Sequence, residues 1–232
     1  MGKGTPPPFN NGPTDHTWLI PFGGPNAEIM KLYDSIMSCG EPTFQNQVIV
    51  VDDWAGTEFS LKNTTFPAGV KVYENNGPVH SCAHALNIGL AYVATTWVWR
   101  MDADDRASGG HNRESSCREA EGDVVLLGGE MITQDFRVLT NHWDSNNIQQ
   151  LFILHRNPIF HPATCIRTEA LNDVGGWPED VGQAEDYGCW ICLKRIGKFS
   201  PIKNCWTQYT SRPGHTVDRQ HLLDAVAERM GW

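Results

Sequence analysis

No apolar run in this 232-residue chain approaches the roughly 18 residues that a bilayer-spanning helix needs, so no membrane span is expected. Basic residues are scarce too: 18 Lys and Arg stand against 27 Asp and Glu, a formal net charge of −9. That balance argues against a protein whose main task is to grip a phosphate backbone. Arg106, Arg113, Arg118, Arg137, Arg156 and Arg167 are still numerous enough for a local basic face. The opening MGKGTPPPFNNGPTD lacks the apolar core of a signal peptide. Residues 1–16 therefore read as a flexible Pro/Gly-rich lead-in, and the expected location is cytoplasmic. Seven cysteines, an odd number scattered along the chain, fit a reducing compartment better than a disulfide framework. Repeats and internal linkers are missing as well, so residues 17–232 are expected to form one domain, long enough for a well-packed core.

What is present is organised around Thr95 to Arg106, TTWVWRMDADDR. The run Trp97-Val98-Trp99 reads as a buried strand that ends abruptly in Asp102, Asp104 and Asp105. Ligands of open α/β sheets lie just beyond the carboxyl ends of strands. Carboxylates crowded there repel one another unless a cation joins them. Hard oxygen ligands suit Mg²⁺ or Mn²⁺, and Mg²⁺ takes one or two carboxylates plus substrate phosphates. The competing reading is an acidic, solvated loop.

Upstream, Thr17–Phe22 reads as a strand and Asn26–Cys39 as a helix with Asn26 as its N-cap. A second strand, Gln47–Val51, also ends in carboxylates, Asp52 and Asp53. A short strand at 70–73, a helix over 80–93 and the aspartate strand follow. Alternating strands and helices imply an α/β fold with a parallel sheet. Downstream, residues 107–123 read as loop plus a short helix and 124–133 as one strand with a Gly-Gly break. Helices are expected near 144–155, before Val174, over Glu185–Ile196 and over 217–230, with a late strand at 202–209.

Five pieces in this order resemble the family 2 glycosyltransferases of the nucleotide-sugar-binding GT-A fold. They are LIPFGG, VIVVDDWAG, NNGPVHSCAHALNIGLAYV, WRMDADDR and HPATCIRTEALNDVGGWPEDVGQAEDYGCWICLKRIGKF, and together they span residue 17 to about 210. The resemblance implies a mixed, mainly parallel central sheet flanked by helices. Residues 17–106 would be its nucleotide-binding half and 107–232 its acceptor-binding half. Pro21 matches the start of the nucleotide pocket, and Asp52 and Asp53 match the pair that reads the nucleobase. Asn87 and Arg100 match the segment under the diphosphate. Asp102, Asp104 and Asp105 match the ribose and metal motif. Glu185 and Asp186 match the acidic pair at the acceptor, with Asp186 as general base. The implied activity is inverting sugar transfer from a nucleotide-diphosphate donor, UDP-sugar by default, to an acceptor hydroxyl.

Chemistry asks for these groups independently. A bound cation stabilises the charge that builds on a departing diphosphate. A positioned carboxylate takes the acceptor proton as attack proceeds. Asp186 alone would also serve as a helix N-cap. Departures from the family pattern lie at Trp54, which either stacks on the base or acceptor or caps the core. They lie also at Tyr209–His215, where Arg212 is the candidate diphosphate contact and His215 the candidate metal ligand or a plain surface histidine. Cys189 and Cys192 lack the second pair of a zinc site and read as core thiols. His80 and His84, at i and i+4, lack the glutamate of H-E-x-x-H. Most of the nine tryptophans read as core, although Trp143, Trp177 and Trp206 are candidates for stacking on sugars or bases. A non-catalytic nucleotide-sugar module is opposed by the intact acidic pairs. A nucleotidyltransferase is opposed by Gly23-Gly24-Pro25-Asn26, which carries no basic residue. Crowded strand-tip carboxylates suit metal better than glycoside hydrolysis. The acceptor is a saccharide, a small molecule or a hydroxymethylated base of modified DNA.

Overall fold

A seven-stranded sheet in the order β10-β6-β9-β4-β1-β2-β3 carries the molecule, with a four-stranded sheet β5-β11-β7-β8 beside it. The computed structural model describes residues 15–23, 28–40, 46–108, 117, 123–127, 130–133, 138–140, 145–202, 205–210 and 220–231. The strands are β1 (His16–Phe22), β2 (Asn46–Asp52), β3 (Val70–Glu74), β4 (Trp97–Arg100), β5 (Arg106–Ser108), β6 (Asp123–Leu127), β7 (Glu130–Thr133), β8 (Val138–Thr140), β9 (Thr164–Arg167), β10 (Lys198–Pro201) and β11 (Trp206–Tyr209). The helices are α1 (Ile29–Ser38), α2 (Cys82–Leu90), α3 (Ser145–Ile153), α4 (Thr168–Asp173), α5 (Glu185–Ile196) and α6 (Gln220–Arg229).

β1 lies between β2 and β4, parallel to both, and both of its faces are covered. Alternate residues therefore feed two cores. Leu19, Ile49, Val51 and Val98 pack with Ala85, Leu86 and Leu90 of α2 and with Trp190 of α5. Trp18, Ile20, Val48, Val50, Trp97 and Trp99 pack with Leu32 and Ile36 of α1. Trp18 and Trp99 stack at 5.6 Å between ring centroids. α2 comes so close that a Cβ at Gly89 would lie 2.3 Å from Leu19 Cδ1. Pro21 sits in β1 beyond the last β4 partner, Leu19↔Arg100, so its missing N–H breaks no ladder bond there.

Every parallel strand delivers its carboxyl end to one edge. β9 is antiparallel to β4 and β6, so its beginning reaches that same edge, preceded by the 3₁₀ turn His161–Ala163. Several sequence expectations are corrected. The stretch 124–133 forms two strands, and they belong to different sheets. Among the described residues of 202–209 the strand is β11 alone, while β10 precedes them. Arg106–Ser108 is a strand, and α1 starts at Ile29 after Glu28, whose side chain makes no cap bond. Asn26 lies outside the described residues, as do Trp143 and most of 1–16. Trp177 is buried and offers no stacking face. Cys189 is a buried core thiol, as expected. Among the described residues, no helix is long and apolar enough to cross a membrane.

Candidate active site

The carboxyl edge of the sheet opens into a cleft of about 540 Å³. Its walls come from the end of β1, the first turns of α1 and α2, the turn after β4, the loop before α5 and the end of β11. Pro21, Asp53, Arg100, Asp102, Asp104 and Glu185 all line it, so residues 164 positions apart in sequence meet in one cleft. Asp52, Asn87, Asp105 and Asp186 do not line it.

At the floor, Arg100 is almost fully buried. Its Nη2 donates to Glu185 Oε1 at 3.2 Å and to Cys82 Sγ at 3.3 Å, and its Nε lies 3.6 Å from Asp102 Oδ1. Burial works against the charge, but Asp102, Glu185 and Asp186 outweigh it and hold the guanidinium above its ordinary pKa. Burial pushes the Cys82 thiol far up, so it stays protonated.

Asp102 Oδ2 is 2.9 Å from Nε2 of His161, whose Nδ1 is 3.4 Å from Asp186 Oδ2. Burial and Arg100 push the histidine down, yet Asp102 and Asp186 bring it to about 9. Asp186 also accepts from Asn157 at 3.0 Å and from the Tyr187 N–H at 2.7 Å. Burial raises Asp186, but the His161 contact and Arg100 prevail and leave it below the usual carboxylate range. Asp105 turns away from the cleft, and its Oδ1 accepts the Thr210 N–H at 2.8 Å. Its other oxygen is buried without a hydrogen-bond partner. Burial, then repulsion from Asp102, pushes its carboxyl well above the usual range. Thr210, just after β11, also donates its hydroxyl to the Asp104 carbonyl, so the second sheet buttresses the aspartate turn.

At the other end of the cleft the Asp52–Asp53 pair is split, because neighbouring residues point to opposite sides. Asp52 organises the loop behind it, accepting from Trp54 N–H (3.1 Å), Ser60 Oγ (2.9 Å) and Leu61 N–H (2.7 Å). Asp53 faces the cleft, with Oδ1 accepting from Asn75 Nδ2 at 2.7 Å and its carbonyl accepting from His80 Nδ1. Burial raises its pKa, opposed by Asn75. Trp54 packs on Gly23, where a Cβ would lie 2.5 Å from its ring, and edge-on to Phe59. Asn87 clamps the loop before α5: it donates to the Trp177 carbonyl (2.8 Å) and Glu179 (2.9 Å) and accepts the Trp177 N–H (2.9 Å). A Cβ at Gly176, which has φ +82°, would meet the Asn87 amide at 2.3 Å.

Arg212 and His215 fall outside the described residues. Among the described residues, no three His, Cys, Asp or Glu side chains gather as a metal cage. Asp102 and Asp104 do line the cleft, and Asp105 holds an unpartnered buried oxygen next to them. Such a hard-oxygen set suits a divalent ion that takes few carboxylates and completes its shell from phosphate. His161, Lys31, Glu179 and Gln183 line the cleft without having been singled out as site residues. His161 opens one of the motifs that carry the family resemblance; Lys31 lies on the polar side of the α1 pattern and carries no such signal.

No family model and no curated protein matches the sequence. Solved structures do. The Staphylococcus aureus protein TarS, crystallised with UDP-GlcNAc, superposes with a TM-score of 0.69 at 17% identity, over 94% of this chain and 66% of that one. GalNAc-T7 with UDP, GalNAc and Mn²⁺ gives 0.63 at 14% identity, over 88% and 45%. The mannosyltransferase PcManGT of Pyrobaculum calidifontis, with GDP-Man and Mn²⁺, gives 0.58 at 18% identity, over 89% and 61%. The chain thus spans less than two thirds of the length of each of these structures, from 45% of GalNAc-T7 to 66% of TarS with UDP-GlcNAc. What they share with it is architecture: the chain has the GT-A fold of glycosyltransferases.

Proposed function

We propose that this chain is a glycosyltransferase of the family 2 type that moves a sugar from a nucleotide-diphosphate donor to an acceptor hydroxyl with inversion. One observation carries the reading: Asp53, Asp102, Asp104, Arg100 and Glu185 converge on one cleft at the carboxyl edge of a GT-A sheet. Residues 17–106 hold the nucleotide and 107–232 the acceptor. Pro21 and Asp53 bound the base subsite. Asp53, whose Oδ1 accepts from Asn75, keeps acceptor sites for a ring N–H such as that of uracil. UDP is the carrier that the family resemblance favours.

Mn²⁺ or Mg²⁺ would be held by Asp104 with Asp102, supported by Asp105 and joined by His215; when bound it supplies Lewis-acid charge opposite the departing diphosphate. Arg100 and Arg212 add fixed positive charge on that side. Glu185, paired with Arg100, faces the transferred sugar. Asp186, held below the usual carboxylate range by His161 and Arg100, is ionised and takes the acceptor proton as attack proceeds. The acceptor is a hydroxyl of a saccharide or small molecule. The DNA alternative loses support from two of its arginines: Arg106 pairs with Asp34 at 2.8 Å and Arg167 lies over Trp97 at 4.5 Å.

A panel of nucleotide sugars with Mn²⁺, Mg²⁺ or EDTA, read by thermal shift and donor hydrolysis, tests this. A UDP-sugar with metal raises the melting temperature most. Asp104→Asn removes the metal-dependent shift, and Asp186→Asn keeps donor binding while transfer falls by about 10²–10⁴. No stabilisation by any donor, or near-normal transfer by Asp186→Asn, sinks the reading.

A further inference from the structure

His161 enters the chemistry only as a neighbour that keeps Asp186 ionised, yet it touches both the donor-side and the acceptor-side carboxylate. Its backbone is pinned: the Thr164 hydroxyl donates to the His161 carbonyl at 2.7 Å, and the Thr207 hydroxyl to the Pro162 carbonyl at 3.0 Å. From that turn the imidazole reaches between two carboxylates that lie 59 and 25 positions away in sequence, Asp102 on the donor side and Asp186 at the start of α5. Both ring nitrogens are thus taken up by carboxylate oxygens. A ring engaged at both nitrogens also cannot rotate without losing a contact.

We infer that His161 is a positioning residue, a rigid bridge that sets where Asp186 stands relative to the donor carboxylate Asp102. Three donors fix Asp186: Asn157 and His161 on Oδ2, and the Tyr187 N–H on Oδ1. Asn157 and Tyr187 hold the carboxylate at the start of α5, and the imidazole ties that placement to Asp102. With the ring removed, two carboxylates face one another over a gap and the base drifts. A misplacement of about 1 Å costs about 10²-fold in rate. The inference rests on the glycosyl-transfer reading for its catalytic consequence, but the bridge itself is set by the fold.

An amide replaces one ring nitrogen at a time. Asn carries its NH₂ near the place of Nδ1 and keeps the Asp186 contact, whereas Gln carries it near Nε2 and keeps Asp102. The experiment is a double-mutant cycle of His161→Gln with Asp186→Asn, with His161→Asn as the companion variant, read by kcat, donor KM and thermal unfolding in EDTA. His161→Gln is expected to lower kcat by about a hundredfold with donor KM within about threefold. In the Asp186→Asn background it costs nothing further, and the melting shifts of the pair are likewise non-additive. His161→Asn falls between wild type and His161→Gln in kcat. Additive losses in either readout, or a raised donor KM with kcat unchanged, overturn the bridge. If wild type transfers from no donor, the transferase reading fails on its own, and the unfolding cycle still decides whether His161 and Asp186 are coupled.

Discussion

The Arg100–Glu185 pair offers the sharpest test of how the cleft floor is built. The arginine side chain is 3% exposed and the glutamate 10%, and one 3.2 Å hydrogen bond joins them. Glu185→Ala leaves a buried guanidinium with the Cys82 thiol, Asp102 3.6 Å from its Nε and the charge of Asp186. Breaking a buried pair by deleting one partner costs about 3–5 kcal/mol, and the surviving Asp102 puts this case at the low end, about 3 kcal/mol. Glu185→Gln keeps the acceptor oxygen and the shape, so about 1–2 kcal/mol is expected. In a domain of this size each kcal/mol moves the melting temperature by about 2–4 °C, which puts Glu185→Ala about 6–12 °C below wild type. Urea unfolding should give a lower midpoint at unchanged slope. The double variant Arg100→Met/Glu185→Leu should recover much of the loss, since a well-packed apolar pair replaces a buried ion pair at little cost. The reasoning is wrong if Glu185→Ala loses less than about 0.5 kcal/mol, or if the double variant is less stable than the single.

Gly89→Ala should destabilise by about 1–3 kcal/mol through overpacking, because its Cβ would meet Leu19 and Val51 side chains at 2.3 and 2.9 Å; denaturant midpoints check this, and a neutral result would mean α2 can shift off the sheet freely. The raised carboxyl of Asp105 contributes favourably below the usual carboxylate range, and that contribution is lost as pH rises through its folded value. Asp105→Asn should therefore melt higher than wild type at about pH 8 in EDTA, with the gain vanishing near pH 4. Equal melting at both pH values would show that the buried charge carries no penalty. Asp186 has the opposite sign: its depressed carboxyl stabilises above the usual range and that support disappears on acidification, so the melting deficit of Asp186→Asn should shrink as pH falls.

β1, β2 and β4 were legible because strands covered on both faces read as unbroken apolar runs. α5 was legible end to end, from an acidic first turn to Gly197. The split of 124–133 was not, because a change of sheet leaves no mark in a hydrophobic pattern when both pieces are apolar. β5 and β8 span three residues each, too few for any period to show. Asp52 and Asp53 look alike in sequence, and only the pleat decides that one braces a loop while the other faces the cleft. Asn87 was expected beneath the diphosphate and is instead spent on the loop before α5.

Residue order alone determined that acids end two buried strands, that strands alternate with helices through the first half, and that a further acidic pair opens a late helix. Folding decided which of those acids share a cleft, which are consumed by their own loops, and that a histidine is bridged between two of them. Local pattern reflects the periodic exposure of neighbours; the direction and partners of a side chain depend on contacts made across 25 to 105 positions of chain, which no local pattern encodes.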